Sequence, residues 1–169
     1  MLTNSPRHQL RSAKLTGDES DLPFLRKLYA STRQEEVAQT DWQQHQIDAF
    51  LLQQFEAQHK FYLEQFTDAT FDIILAEDRT PIGRLYLEER DDEFRIIDIA
   101  LLPTHCGQGI GGNLVQYIIA KAAAAEKSVR IHVEHNNRAM RLYTRLGFLM
   151  VENQGVYHLM ELPPSTTGK

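Results

Sequence analysis

Four glycines within six residues, Gly107, Gly109, Gly111 and Gly112, stand between a long apolar run and an amphipathic one. The run before them, Phe94–Leu102 (FRIIDIALL), is rich in β-branched residues and reads as a buried strand ended by Pro103, which cannot donate to a ladder. After them, Ile110, Leu114, Val115, Ile118, Ile119 and Ala122 fall on one stripe of a helix reaching about Lys127. Val129–Glu134 then reads as another strand. Strand, crossover helix and strand make one right-handed parallel unit, which has to sit inside a sheet with its helix on one face.

The flanking segments complete that sheet. Gln9–Thr16 reads as a strand with Leu10 and Leu15 as its apolar residues. Asp18–Asp21 offers N-cap chemistry to a helix carrying Leu22, Leu25, Leu28 and Tyr29. A longer helix is expected from about Trp42 to Gln65, with Ile47, Phe50, Leu51, Phe55 and Tyr62 at helical spacing. Phe71–Ala76 and Ile82–Leu87 join Phe94–Leu102 as three antiparallel strands, separated by Asp78-Arg79-Thr80-Pro81 and Arg90-Asp91-Asp92. Residues 138–146 read as a short helix stopped by Gly147, and Phe148–Glu152 and Val156–Leu162 as two closing strands. The predicted fold is α/β: a mixed, largely antiparallel central sheet with a parallel strand–helix–strand unit at its centre. One domain is expected over residues 1–169, with its core at 9–162 and loose ends at 1–8 and 163–169.

Composition narrows the partners. A net charge of −5 and a pI near 5.8 argue against nucleic acid, which calls for a basic face. No apolar run approaches membrane-spanning length, and Met1–Leu10 lacks the apolar core of a signal peptide. One cysteine excludes an internal disulfide, so a cytoplasmic location is expected, with no membrane partner. The closing strands offer a surface for a homodimer.

The glycine turn implies an anion. Glycines at a strand-to-helix junction let the backbone approach a phosphate, whose charge the free N–H groups and helix dipole stabilise. Gly107-x-Gly109-x-x-Gly112 literally fits a dinucleotide fingerprint, with Glu134 near the place of a ribose partner. Against that reading, Pro103–Cys106 separate the turn from its strand, antiparallel strands precede it, and too few residues remain for more parallel units. A Walker loop fails for want of a Gly-Lys-Ser/Thr ending. Dinucleotide binding stands as the minor alternative.

A second stretch decides between these anions. Asn136-Asn137-Arg138-Ala139-Met140-Arg141-Leu142-Tyr143-Thr144-Arg145-Leu146-Gly147-Phe148 matches Asn-x(x)-Ala-x-x-Leu-Tyr-x-x-x-Gly-Phe, while Gly109 and Gly111 match Arg/Gln-x-x-Gly-x-Gly/Ala. Together, about thirty residues apart, they resemble the GNAT superfamily of N-acetyltransferases, whose element order is also the one read above. The chain departs at Cys106, where that family usually carries Arg or Gln, which implies weaker cofactor binding.

The resemblance implies an enzyme that transfers acetyl from acetyl-CoA (coenzyme A) to a primary amine of a small molecule or peptide, by direct attack in a ternary complex. Cys106, Gly107, Gln108, Gly109, Ile110, Gly111, Gly112 and Asn113 would hold the pyrophosphate. Ala100, Leu101 and Leu102 would pair their backbone with the pantetheine arm, and Asn136 or Asn137 would bond to it or cap the helix. Tyr143 would contact the cofactor and protonate the leaving thiolate. Tyr29, Arg33, Glu36 and Trp42 would shape the acceptor pocket. Asp98, Glu134 and His132 are candidates for the base, each with a structural role as its plainer reading. A metal on His132 and His135 is not expected, because residues three apart on a strand face opposite ways. The alternative to an enzyme is a non-catalytic acyl-CoA-binding or regulatory domain of the same fold.

Overall fold

The computed structural model describes residues 9–134 and 137–164. Its strands are β1 (Gln9–Ser12), β2 (Thr70–Leu75), β3 (Pro81–Glu89), β4 (Glu93–Leu101), β5 (Ser128–Glu134), β6 (Leu149–Gln154) and β7 (Tyr157–Leu162). They form one sheet in the order β1-β2-β3-β4-β5-β7-β6. Every neighbouring pair is antiparallel except β4 and β5, which run parallel. The helices are α1 (Leu22–Thr32), α2 (Gln34–Ala38), α3 (Gln44–Gln65), α4 (Ile110–Ala124) and α5 (Ala139–Arg145). The mixed sheet with α4 crossing between β4 and β5 is the expected architecture, and it is not a doubly wound parallel sheet.

Three local expectations change. The strand expected over Gln9–Thr16 ends at Ser12. Asp21 does not cap α1 through its side chain; its carboxylate takes two hydrogen bonds from Arg11, at 2.8 and 2.7 Å, and one from the Lys14 N–H at 2.7 Å. An ion pair and a loop amide therefore won the oxygens that a cap would have used. The expected long helix begins at Gln44 rather than Trp42, because Gln43 and Gln46 close a reciprocal capping box there. The short helix α2 had no apolar period of its own to reveal it, having only Val37 buried.

Two apolar layers sandwich the sheet. Ile74, Phe94, Ile96, Val129 and Ile131 pack with Leu114, Val115 and Ile118 of α4. On the other face, Ile73 and Leu75 pack with Leu25 and Tyr29 of α1 and Leu51 and Phe55 of α3. Gly83 lets β3 lie close to β4: a Cβ there would run into the Ala100 carbonyl oxygen. β6 is the last strand of the sheet and is exposed along its whole length, Leu149, Met150 and Val151 included.

One irregularity positions the site. In β4 the register against β3 passes from Leu87↔Ile96 to Tyr86↔Asp98, so Ile97 is an extra residue, a β-bulge. The bulge shifts the alternation by one. Phe94 and Ile96, then Ile99 and Leu101, pack toward α4. Arg95 and then Asp98 fall on the α3 side, where an unbroken strand would have turned Asp98 toward α4. Pairing of β4 with β5 stops at Ile96↔Ile131, immediately before the bulge. Beyond it the two parallel strands part.

Candidate active site

The parting strands open a cavity of about 540 Å³. Its floor is Ile97, Asp98 and Ile99 of β4 with His132, Val133 and Glu134 of β5, and Tyr143 of α5 stands beside it. Leu102 N–H bonds to the Ile82 carbonyl at 2.8 Å, so the backbone groups of Ala100 and Leu102 are turned to β3. By strand alternation those of Ile99 and Leu101 face the gap. Leu101 was among the residues expected to line a cofactor arm; Ile99 was not.

At the end of β4, Pro103–His105 makes one 3-10 turn and the glycine segment follows. Gly107 and Gly109 have φ of +75° and +81°, in the left-handed region, and a Cβ at either would project into open space. Gly109 is the N-cap of α4, and the first bond back along the helix runs from Asn113 N–H to the Gly109 carbonyl at 3.0 Å. The N–H groups of Ile110, Gly111 and Gly112 consequently have no helical carbonyl behind them. Cys106 is exposed, with its thiol 3.5 Å from the Leu102 carbonyl. Gln108 turns its side-chain amide back to the Thr104 carbonyl at 2.9 Å, so it does not replace the polar side chain absent at Cys106. What remains is a backbone cradle with open Cα faces, which fits a diphosphate.

Tyr143 is buried, its ring packed edge-on against Phe148 at 5.5 Å between centroids. Among the described residues no hydrogen bond reaches its hydroxyl, although the side chain lines the cavity. Burial, reinforced by the charge of Asp98, pushes the phenol above the ordinary tyrosine range, so it stays protonated. Asn137 also lines the cavity, and its side-chain oxygen accepts from the Ala139 N–H at 2.9 Å. Asn136 and His135 lie outside the described residues.

The opposite wall comes from α3 and the closing hairpin. Gln58, Phe61 and Tyr62 lie three and four residues apart on one helix face and, with Phe66, reach the cavity. They continue the stripe that buries Leu51 and Phe55, past the point where α1 covers it. Gln154 of β6 and Tyr157 of β7 face them. Tyr62 donates to Asp98 Oδ2 at 3.0 Å, and Arg84 Nη2 bridges that oxygen, at 2.7 Å, to Gln58 Oε1, at 2.8 Å. Burial and the neighbouring Asp98 raise the Tyr62 phenol as well.

Of the residues expected to select the acceptor, Arg33 lines the cavity, ion-paired to Glu134 at 3.5 Å and Glu36 at 3.0 Å. Tyr29 lies in the core beneath it, with the Arg33 guanidinium 5.3 Å from its ring centre. Glu36 is exposed beside Arg33, and Trp42 packs on Phe50 away from the cavity. The three candidate bases all line the cavity. Arg95 donates to His132 Nδ1 at 3.2 Å, which leaves that ring's proton on Nε2; burial and the Arg95 charge lower its pKa. His132 therefore has no free lone pair to act as a base. Phe61, Phe66, Tyr157 and Gln154 escaped the sequence reading, and only the overlong apolar stripe of α3 signalled the first two.

Comparison with known proteins gives this arrangement a family. Sequence comparison with curated proteins finds no match. The PaiA N-acetyltransferase of Thermoplasma acidophilum, solved in complex with coenzyme A, superposes with a TM-score of 0.67 at 17% identity, over 94% of this chain and 99% of that one. A phosphinothricin acetyltransferase of Sinorhizobium meliloti, solved with acetyl-CoA, gives 0.59 at 19% identity, over 96% and 92%. An acetyltransferase of Thermus thermophilus gives 0.61 at 17% identity, over 94% and 99%. At such identities the likeness is one of fold. A sequence profile described as the acetyltransferase (GNAT) family matches residues 26–148, from within α1 through the bulged strand and the glycine turn to Phe148. The chain belongs to the GNAT acetyltransferase family.

Proposed function

We propose that this chain transfers an acetyl group from acetyl-CoA to a primary amine of a small molecule or peptide, by direct attack in a ternary complex. The observation that carries the reading is the cavity where β4 and β5 part, with the Tyr143 hydroxyl unengaged beside it. Acetyl-CoA supplies a thioester whose carbonyl carbon accepts the amine. The N–H groups along Gly107–Gly112, before Asn113, hold the pyrophosphate, as the open Gly107 and Gly109 faces allow. The backbone of Ile99 and Leu101 binds the pantetheine arm as an added strand would, and an N–H there polarises the carbonyl, a contribution of about 3 kcal/mol.

Atoms and charges balance in a single transfer. A C–N bond forms, the C–S bond breaks, Tyr143 passes a proton to the departing thiolate, and the proton released by the amine returns to the phenol through water. With its pKa raised by burial, Tyr143 arrives protonated and serves chiefly as a hydrogen-bond donor to the developing thiolate. Neutral Tyr143 also means that activity is not lost as pH rises through the ordinary tyrosine range.

Thermal unfolding with acetyl-CoA, NAD or ATP tests the donor. Acetyl-CoA at a hundredfold its dissociation constant stabilises the fold by about 2.7 kcal/mol, and stabilisation by NAD alone would overturn the reading. Tyr143→Phe is expected to lower kcat by about 100-fold while leaving acetyl-CoA affinity near wild type. Unchanged turnover would remove Tyr143 from the chemistry.

A further inference from the structure

Asp98 lines the cavity with a carboxylate that the protein uses on one oxygen only. Asp98 Oδ2 takes the hydrogen bonds from Arg84 and Tyr62, and among the described residues none reaches Oδ1. A carboxylate oxygen facing a cavity with its lone pairs unused is an acceptor for a ligand donor. Of the other charges at the wall, Arg33 is shared between Glu36 and Glu134, and Arg95 pairs with Glu93 at 3.1 Å. Arg84, almost fully buried behind Asp98, offsets its charge. Oδ1 can therefore anchor an ammonium without holding its proton as tightly as a lone carboxylate would.

Around this oxygen the wall is aromatic. Phe66 packs edge to face on Tyr62 and Phe61 at 6.1 and 6.4 Å, those two rings are tilted against each other at 6.2 Å, and Tyr157 stands across the cavity from them. Phe61 is 54% exposed and Tyr157 45%, so a ligand body lying between them removes apolar surface that the fold leaves wet. An anionic group next to the amine meets the negative ring faces and Asp98 together, and finds every lining arginine already paired.

Resting on the acetyltransferase reading above, we infer that the acceptor is a primary amine with an aromatic or bulky apolar body, its nitrogen on Asp98 Oδ1 and its body between Phe61, Phe66 and Tyr157. The bulge at Ile97 builds this subsite by turning Asp98 onto the α3 face. Arg84 and Tyr62 are positioning residues, acting on the amine through Asp98.

The probes are 2-phenylethylamine, spermidine and phenylalanine, which share an amine but differ in body and charge. Calorimetry on the full chain saturated with coenzyme A should detect 2-phenylethylamine at least about tenfold tighter than the other two, spermidine lacking the buried aromatic contact and phenylalanine carrying a carboxylate beside Asp98. Phe61→Ala, at an exposed position that folding does not need, should weaken it by about tenfold. Asp98→Asn should raise the KM for the amine while acetyl-CoA still stabilises the variant, and Tyr62→Phe should do so more weakly. Preference for spermidine or phenylalanine, or an unchanged affinity in Phe61→Ala, overturns the inference and leaves the acetyltransferase reading standing. Tight binding of 2-phenylethylamine with no thiol release from acetyl-CoA overturns the acetyltransferase reading alone.

Discussion

The two walls of the cavity are made of different material. The donor side, from the end of β4 through the glycine turn into α4, offers backbone: N–H groups at a helix start, strand edges left unpaired, and glycines at φ of +75° and +81°. The opposite wall, the proposed acceptor side, offers side chains: Asp98 held by Arg84 and Tyr62, aromatic rings from α3, and Tyr157 from the closing hairpin. A backbone site changes little when its side chains change, provided the glycines remain. A side-chain site is free to vary on the same scaffold, which is how one fold serves many acceptors. Cys106 illustrates the first half of this contrast, since losing a polar side chain there leaves the amide cradle intact.

Substitutions can break or sharpen that division. The largest effect is expected on the acceptor side, from Arg84→Met. Removing one member of this buried pair leaves Asp98 uncompensated and should cost about 3–5 kcal/mol of stability, read in a denaturant titration. A loss below about 1 kcal/mol would mean that the Arg84–Asp98 pair does not organise the wall. Gly83→Ala, between the two sides, should cost about 1–3 kcal/mol because its Cβ meets the Ala100 carbonyl and forces β3 away from β4. Gly109→Ala, on the donor side, should cost about 1–2 kcal/mol through its left-handed backbone and weaken acetyl-CoA while leaving the amine KM alone. A change confined to the amine KM would break the division of labour. The smallest effect belongs to Asp21, remote from both walls. Its pKa is lowered chiefly by the Arg11 hydrogen bonds, so its contribution is present above the ordinary aspartate range and is lost as pH falls through the depressed folded value. Asp21→Asn should thus cost about 1 kcal/mol at neutral pH and progressively less in acid.

The same contrast explains what could be read from the chain. The donor side is written locally: an apolar run, a proline, four glycines and a helical stripe lie consecutively, and backbone conformation follows from residue type. Tyr143 was legible because its helix and its stop at Gly147 are also local. Asp98 stands out in the sequence only as a candidate base with a structural role as its plainer reading, and its place on the α3 side is hidden, because that face depends on the bulge at Ile97 and plain alternation turns it the other way. Phe61 and Phe66 lie far from Tyr157 along the chain, and only the pairing of β7 with β5 brings Tyr157 opposite α3. Tyr29 lies on α1 but in the core, and Trp42, just before α3, packs on Phe50 away from the cavity.

The central claim is that a donor on the backbone side and an amine on the side-chain side react directly. Initial rates of thiol release, with acetyl-CoA and amine varied together across aryl amines, polyamines, amino acids and peptide N-termini, test it most directly. The account predicts amine-dependent release with intersecting double-reciprocal lines, as a ternary complex requires. Parallel lines, the mark of a covalent acetyl-enzyme, would contradict it, as would thiol release with none of these amines.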